Sequence, residues 1–409
     1  MRILFRQFIN LITSASFLIP AAITMITALA SWVLICDAYT LMPRDATAYW
    51  DMAQPSPLGG VWGEAPYIYR VAIPFLVKTL FHSSFSGFIF ITLVSFFISN
   101  ILVYQISRLY SQSRLVNSLV VIIFATSYTI IGALTNSASV DLPVFAPSLA
   151  IVFIFLRYMM PSKPVSLKVW LVFSLLLLIS AIIHEMVFTI LPIFVICLLL
   201  SRQPKKAVLL VVFSVPAVCL HLAIRLMLGP LLPPMNNPVN IIPALGYLLS
   251  LGGIRSIFAT FGAVWILIPI ALYHVWVRRR EDTVVFAAPI LAFMVLIVVA
   301  FFASNHNRYL FFISFPMLIA ALSIYFDDHN KRLPPAAVYA FIGLLAVTRL
   351  AMSFRPNPLS EIVDVRSYET VVVITSAAIL QILAVLSYVF FSRNDKQSSN
   401  TEMTSKSVS

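Results

Sequence analysis

Long stretches of apolar residues, separated by short polar segments, follow one another along almost the whole chain. A helix needs about 20 residues to cross the roughly 30 Å hydrocarbon core of a bilayer. The first stretch follows Arg2 and Arg6 and is too long for the apolar part of a cleaved signal peptide, which indicates an uncleaved first span. Stretches of suitable length lie near residues 8–36, 86–107, 115–134, 142–160, 207–228, 259–277, 284–303, 308–326, 335–353 and 369–391.

One further apolar segment, 167–201, is too long for a single helix and is interrupted near its middle by His184-Glu185. Two ionisable side chains are costly at the centre of a bilayer. A hairpin of two short spans, 167–183 and 186–201, places this pair at a membrane surface instead. The pattern therefore predicts an all-α polytopic membrane protein with about 12 transmembrane helices and both termini on the same side.

The first predicted outer loop, residues 37–85, is the longest polar segment between spans. It contains an amphipathic stretch from Val71 to Phe81. Pro74 and Lys78 within this stretch favour a helix that lies on the membrane surface over one that crosses it.

A second outer loop, residues 229–258, is rich in proline, which disfavours helix formation. No internal repeat and no separate soluble domain are visible. We therefore predict a single integral membrane domain over residues 1–391, followed by a polar tail, 392–409, with the composition of a disordered cytoplasmic segment.

Composition and charge support this architecture. Apolar and aromatic residues make up 61% of the chain, charged residues 10%, and the mean hydropathy is +0.98. Soluble domains carry about 45–50% apolar and about 25% charged residues, so a soluble enzyme, a nucleic-acid-binding protein and a fibrous chain are disfavoured. With the N-terminus inside, 18 of the 27 basic residues fall in inner segments and nine in outer ones, as the positive-inside rule requires. The inner side then carries the whole net charge of +12, and no nucleic-acid partner is needed to explain it.

Ionisable and aromatic side chains are concentrated in the first outer loop and at the outer ends of three spans. Taken singly, each fits a capping or snorkelling side chain, and the loop fits a solvated segment with interfacial aromatics. Their convergence on one membrane face predicts a polar site near the outer leaflet. The residues are Asp45, Tyr49, Asp51, Arg70, Asp141, His184, Glu185 and Arg308. The three cysteines, in contrast, show neither a disulfide framework nor metal-ligand spacing.

Five short motifs at these positions resemble those of the GT-C glycosyltransferases, which are polytopic enzymes that use polyprenyl-phosphate sugars. The class includes bacterial cell-surface glycopolymer enzymes and protein O-mannosyltransferases. In chain order the motifs are Asp45-x-x-x-Tyr49, Tyr69-Arg70-x-x-x-Pro74, Ser139-Val-Asp141-Leu-Pro143, His184-Glu185 with Leu191-Pro192, and Asn307-Arg308-Tyr309 with Pro316.

The resemblance covers about residues 30–320 and departs from the family in two respects. Ala46 follows Asp45 where many members have a second acid, and Asp51 is the nearest replacement. No large extracytoplasmic domain follows the last spans, which leaves a protein acceptor without a recognition domain.

The resemblance implies an inverting glycosyltransferase. Its donor would be a polyprenyl-phosphate-linked sugar, and its acceptor a hydroxyl group of a cell-surface glycan or lipid. The protein would act on the extracytoplasmic face of the bacterial inner membrane, surrounded by membrane lipids, with both termini in the cytoplasm. No cofactor is implied. A divalent metal is compatible with the acidic residues, but nothing in the sequence requires one.

The same resemblance implies roles for the individual residues. Asp45 would be the base that takes the acceptor's proton, and Arg70 and Arg308 would bind the lipid phosphate with His184 assisting. Asp51 and Glu185 would either bind sugar hydroxyls or orient the arginines. The implied substrate-binding set is Tyr49, Asp51, Arg70, Asp141, His184, Glu185 and Arg308.

Three other functions remain open from the residues alone. A transporter or flippase also carries intramembrane charges, but it usually has inverted repeats, which are not visible here. An O-antigen-type polymerase or ligase would share the donor class and favour a large outer loop between late spans, whereas the longest outer loop here is the first. A non-catalytic membrane scaffold leaves the clustering of charges on one face unexplained.

Overall fold

The computed structural model describes residues 14–34, 44–54, 70–136, 138, 140–228, 258, 260–278, 283–300, 306–331, 333–352, 372 and 375–390. Within these ranges the chain forms fifteen α-helices and no strand. The helices are α1 Ala15–Leu34, α2 Arg44–Ala53, α3 Ala72–Leu80, α4 Phe85–Arg108, α5 Arg114–Ala125, α6 Tyr128–Thr135, α7 Asp141–Ile154, α8 Leu167–Ile183, α9 Ile190–Leu200, α10 Pro204–Leu228, α11 Val264–Arg278, α12 Thr283–Ala300, α13 His306–Asn330, α14 Pro335–Met352 and α15 Thr375–Phe390.

Each predicted span coincides with an apolar helix or helix pair. By length and composition, five helices are able to cross a bilayer on their own, namely α4, α7 with the π-helical turn that follows it, α10, α13 and α14. The pair α5 and α6 qualifies as one further, bent span, and the other predicted spans match the shorter apolar helices α1, α8, α9, α11, α12 and α15. The chain is an all-α polytopic membrane protein.

The span predicted as one helix over residues 115–134 is instead two helices, α5 and α6, which meet at an angle of 57°. Ser127 begins α6 as its N-cap, since its hydroxyl accepts a hydrogen bond from the amide of Ile130. Buried Arg349 of α14 donates from Nη2 to the carbonyl of Ile123 at 3.1 Å and from Nε to that of Thr126 at 3.4 Å. At the break these two carbonyls lose the backbone amide donors that a continuous helix would provide, and the guanidinium donates to them instead.

The chain reverses direction at His184-Glu185, as the sequence predicts. Helix α8 ends at Ile183, a 3₁₀ turn covers Glu185–Thr189, and α9 follows. At the far end of this hairpin, Gln203 donates to the carbonyl of Met160 at 2.7 Å. This contact shows that α9 ends at the same end of the bundle as the one at which α8 begins. The turn between them, with His184-Glu185, therefore lies at the opposite end.

The segment predicted as the first outer loop contains two short helices, α2 and α3. Helix α3 confirms the predicted amphipathic helix, because it is separated from α4 by a turn and buries Ile73, Pro74 and Val77. Phe75 and Leu80 on its other side are exposed. The loop at 229–258, apart from its last residue, and the tail at 392–409 lie outside the described residues.

Helix α13 is the most deeply buried of the five long spans. Phe311 and Phe315 on α13 stack at 4.9 Å between ring centroids, and Phe124 of α5 packs against both. Polar residues mark the two ends of this helix, with Arg308 in its first turn and Asp327 in its last. At a rise of 1.5 Å per residue they are about 29 Å apart, which is close to the hydrocarbon thickness of a bilayer.

Candidate functional site

Arg70 is the centre of a buried polar cluster at the end of the bundle where the hairpin turns. Its Nε donates to Oε2 of Glu185 at 3.1 Å, and its Nη2 donates to Oε1 at 2.6 Å. Its Nη1 donates to the hydroxyl of Tyr49 at 2.9 Å. The Arg70 side chain is 4% exposed and that of Glu185 23%. The guanidinium is therefore fixed by a bidentate carboxylate on one edge and a phenol on another.

The local folding of the chain explains how these three side chains meet. Tyr49 lies on α2, Arg70 is two residues before the first residue of α3, and Glu185 is the first residue of the 3₁₀ turn in the hairpin. Ser83, in the turn after α3, donates its hydroxyl to the carbonyl of Ala53 at the end of α2. This hydrogen bond joins the end of α2 to the turn after α3, and the Arg70–Glu185 ion pair joins this segment to the hairpin.

His184 presents one ring nitrogen to the backbone and keeps the other buried. The amide of Met186 donates to Nδ1 of His184 at 3.1 Å, so Nδ1 carries no proton and the neutral ring is protonated at Nε2. Nε2 has no hydrogen-bond partner among the described residues. The turn therefore holds a buried N–H donor beside Arg70 and Glu185.

A second ion pair joins the first turns of α7 and α13. Nη2 of Arg308 lies 2.9 Å from Oδ1 of Asp141, and both side chains are mostly buried. Asp141 is the first residue of α7, where a carboxylate also interacts favourably with the helix dipole. The two residues were predicted separately from two span ends, and the fold brings them into contact.

The two ion pairs belong to one cluster. The ring of Tyr309, which follows Arg308, meets the ring of His184 edge-on at 6.3 Å between centroids. Tyr49 is close enough to both ion pairs for their charges to affect its pKa. Burial raises the pKa of Tyr49 above its usual value, the charges of Arg70 and Arg308 lower it, and the charge of Asp141 raises it further. Six of the eight predicted site residues therefore lie together, namely Tyr49, Arg70, Asp141, His184, Glu185 and Arg308.

Burial and pairing set the charge states at the hairpin. Burial disfavours the charge of Arg70, but its hydrogen bonds to Glu185 and its contact with Tyr49 outweigh this and raise the pKa of Arg70 above its usual value. Burial, reinforced by the charge of Arg70, holds the pKa of His184 well below its usual range. At neutral pH the cluster therefore contains a charged guanidinium and a neutral imidazole.

The other two predicted residues, Asp45 and Asp51, lie on α2. Asp45 is one helical turn before Tyr49, and its side chain lies outside the described residues. Asp51 is exposed, and in the part of the chain that the structure describes its carboxylate forms no hydrogen bond or ion pair. The fold thus places the backbone of Asp45 next to the cluster, while the role of either carboxylate stays a prediction.

Glu185 was predicted either to bind sugar hydroxyls or to orient the arginines, and its contacts match the second role. Both of its carboxylate oxygens accept hydrogen bonds from Arg70. Within the described residues, no group of three or more His, Cys, Asp or Glu side chains is arranged to hold a metal ion. The contacts seen here are two ion pairs, each of which joins a mostly buried arginine to a carboxylate.

Sequence reasoning missed two further residues beside this cluster, His221 and Arg225 of α10. Nε of Arg225 donates to Nε2 of His221 at 2.9 Å, and the ring of His221 meets that of Phe188 edge-on. Phe188 belongs to the same 3₁₀ turn as Glu185. The spacing of four residues, which puts two side chains on one helix face, is the signal in the sequence that indicates this pair.

Comparisons with known proteins give one similar fold. No family model matches the chain, and no curated protein matches it. Among solved structures, the chain is similar to ArnT from Cupriavidus metallidurans, in its crystal structure bound to undecaprenyl phosphate. The two are 13% identical with a TM-score of 0.46, and the match covers 91% of this chain and 76% of the ArnT chain.

Proposed function

We propose that this protein is a membrane glycosyltransferase of the GT-C type. It transfers a sugar from a polyprenyl-phosphate donor to a hydroxyl acceptor of a cell-surface glycan or lipid, on the extracytoplasmic face of the bacterial inner membrane. The observation that carries the proposal is the buried Arg70–Glu185 pair, bonded to Tyr49 and adjacent to Asp141–Arg308, at one end of the spans.

The location of this cluster suits a lipid-linked phosphate. A lipid phosphate lies at the edge of the hydrocarbon core, and the cluster lies at the ends of apolar helices. Burying four charged side chains there costs free energy, and ionisable groups inside a membrane protein indicate a functional site such as a substrate pathway. Guanidinium groups held by carboxylates are already oriented before a phosphate arrives, so little reorganisation is needed when negative charge develops on it.

The proposed reaction inverts the anomeric carbon. The acceptor oxygen forms a bond to this carbon from one face while the bond to the phosphate oxygen breaks on the other. The acceptor's proton goes to the carboxylate of Asp45, which acts as the general base. The released polyprenyl phosphate keeps the electron pair of the broken bond, and Arg70 and Arg308 stabilise its charge.

His184 supports the leaving phosphate as a neutral hydrogen-bond donor. Its Nδ1 accepts from the Met186 amide, so the proton is on Nε2, and this buried nitrogen has no acceptor among the described residues. A phosphate oxygen that enters the cluster provides that acceptor. Glu185 then orients Arg70, and Asp141 orients Arg308.

The substitution Asp45→Asn tests the assignment of the base. It keeps the size of the side chain and removes its basicity, so we expect transfer in reconstituted proteoliposomes to fall below detection while membrane insertion is unchanged. Asp395→Asn in the polar tail is the matched control and should transfer at the wild-type rate. Full activity in Asp45→Asn would show that another group takes the proton.

The product and the lipid requirement separate the proposed reaction from the other functions. Mass analysis of the product should show one added sugar per acceptor, whereas a polymerase adds many. Transfer should require a polyprenyl-phosphate donor. Movement of labelled donor across the membrane with no new glycosidic bond would indicate a flippase.

A further inference from the structure

An apolar groove of about 420 Å³ runs between α9 and α10, below the hairpin turn. Its walls are aliphatic apart from Ser214, whose hydroxyl donates to the carbonyl of Leu210 at 2.7 Å and is thereby satisfied within the helix. The groove therefore offers hydrocarbon contacts. Its main lining residues are Leu191, Pro192 and Val195 of α9 and Val211, Val215 and Val218 of α10.

The groove opens on a lipid-facing side of the bundle. Helix α10 is the least buried of the five long spans. Val211 and Val215, which line the groove, are 51% and 49% exposed. In a membrane-spanning helix, exposed aliphatic side chains of this kind face lipid chains, so a hydrocarbon chain reaches the groove directly from the bilayer.

A guanidinium group lies above the groove on the same helix. Arg225 is seven positions after Val218, which is about 10 Å along the helix axis. Arg225 is exposed, and its Nε is held by Nε2 of His221, which is itself buried against Phe188. The imidazole accepts the hydrogen bond as a neutral partner, so this contact orients the guanidinium without neutralising its charge.

We propose that the groove and Arg225 form a lateral binding site for an anionic phospholipid of the surrounding bilayer, with an acyl chain in the groove and the phosphate on Arg225. Charge complementarity and the spacing along α10 support this occupant. The apolar walls lie at the depth of the lipid acyl chains, and the cationic guanidinium lies about two helical turns nearer the membrane surface, where lipid phosphates lie. Among the described lining residues the one polar side chain is Ser214, and its hydroxyl is already bonded within the helix, so no wall residue selects a particular lipid by hydrogen bonding. The site thus binds a bulk lipid, separately from the sugar donor.

Occupancy of this site stabilises the hairpin. A phosphate on Arg225 holds the Arg225–His221 contact in place, and His221 packs against Phe188, three residues after Glu185. A ligand that binds only the folded state raises its apparent stability. The bound lipid therefore raises the melting temperature of the protein, whether or not any sugar is transferred.

Lipid binding to the purified full-length protein tests this proposal. Phosphatidylglycerol is titrated in detergent, with bound lipid counted by native mass spectrometry and the melting temperature recorded. Arg225→Gln should weaken the tightest phosphatidylglycerol site by roughly tenfold or more, the effect of losing one charged contact. Val211→Trp should abolish it by filling the groove.

Two matched controls should bind like the wild type. Val212→Trp places the same bulk on the neighbouring residue, which is 55% exposed and does not line the groove. Lys205→Gln removes a charge from the opposite end of α10. Phosphatidylethanolamine, which has no net charge, should bind at least several-fold more weakly than phosphatidylglycerol.

Wild-type phosphatidylglycerol binding in Arg225→Gln or Val211→Trp would overturn the proposal, as would equal binding of the two phospholipids. A site that rejects phosphatidylglycerol but binds a polyprenyl phosphate would also overturn it, because the occupant would then be the substrate. None of these measurements uses a sugar donor. A negative result for phospholipid binding is therefore distinguishable from a negative result for the proposed transferase activity.

Discussion

Arg70 illustrates how a single buried cation depends on several acceptors. Glu185 accepts two of its hydrogen bonds and Tyr49 a third, and the three residues lie in separate parts of the chain. Removing one member of a buried ion pair leaves the other charge in a poorly solvating environment. Substitutions at this site therefore affect stability as well as activity, and the two effects have to be measured separately.

Replacing Glu185 by alanine should destabilise the protein because Arg70 then remains buried without its carboxylate. We expect a loss of about 3 kcal/mol, the lower end of the range for broken buried pairs, because Glu185 keeps 23% exposure. Thermal melting in detergent measures the effect. In the double variant Arg70→Met/Glu185→Ala no unpaired charge is left, so part of the stability should return. A double variant less stable than Glu185→Ala would contradict the pairing.

His184 allows its two ring nitrogens to be tested separately. In His184→Asn the side-chain oxygen takes the place of Nδ1 and still accepts from the Met186 amide, whereas the Nε2 donor is lost. We expect near wild-type melting and a transfer rate lower by about 100-fold, as for the loss of one donor to a developing negative charge. Because the pKa of His184 lies well below its usual range, the wild-type rate should show no histidine titration near pH 6.5. Wild-type activity of His184→Asn would remove the donor role.

At the scale of the helix, the break between α5 and α6 depends on a residue far along the chain. Arg349 of α14 donates to carbonyls of Ile123 and Thr126, and from Nη1 to that of Phe261 at 2.7 Å. Thr126 and Ser127 indicate a weak point in the apolar stretch, but the sequence there reads as one span. The bend needs a donor that arrives only when α14 packs against α5, and hydropathy along a single segment cannot reveal such a partner.

Arg349→Leu should therefore destabilise the bent span. It leaves three buried carbonyls without these donors, at about 1–3 kcal/mol for each unsatisfied group, less whatever local repacking recovers. The melting temperature and the yield of folded protein in detergent measure the effect. Arg349→Lys retains one charged donor group and should fall between the wild type and Arg349→Leu. If Arg349→Leu melts like the wild type, the guanidinium does not hold the break.

The site shows the same division between what a sequence reveals and what it leaves out. The span ends that carry Asp141, Glu185 and Arg308 follow from hydropathy, because a charge next to an apolar stretch is visible in the sequence. Which acid pairs with which arginine does not, since Arg70 and Glu185 are separated by 115 residues. Helix α2 within the first loop was missed because its polar composition resembles that of a solvated loop. Its tertiary contacts with Arg70, with the turn after α3 and with α4 stabilise it.

At the scale of the whole molecule, the polar residues divide between the two ends of the bundle. The candidate site occupies one end, and the other has Ser111 bonded to Asp327 and the ion pair of Asp327 with Lys331. Turns that hold many of the 18 predicted inner basic residues lie at this second end, as the contact of Lys206 with the carbonyl of Met159 shows. The positive-inside rule therefore predicts that the second end faces the cytoplasm and that the site faces the outside.

Cysteine labelling tests this orientation directly. In a background in which Cys36, Cys197 and Cys219 are replaced by alanine, Thr79→Cys places an exposed thiol on α3 at the site end, and Lys163→Cys places one in the exposed turn before α8. A membrane-impermeant maleimide should label residue 79 in intact cells and residue 163 only after permeabilisation, because the two lie on opposite sides of the bilayer. The cysteine-free parent, which should remain unlabelled, is the control. The reverse pattern would place the cluster on the cytoplasmic side and contradict an extracytoplasmic transferase. Labelling of both residues in intact cells would contradict the prediction that the two ends of the bundle lie on opposite sides of the membrane.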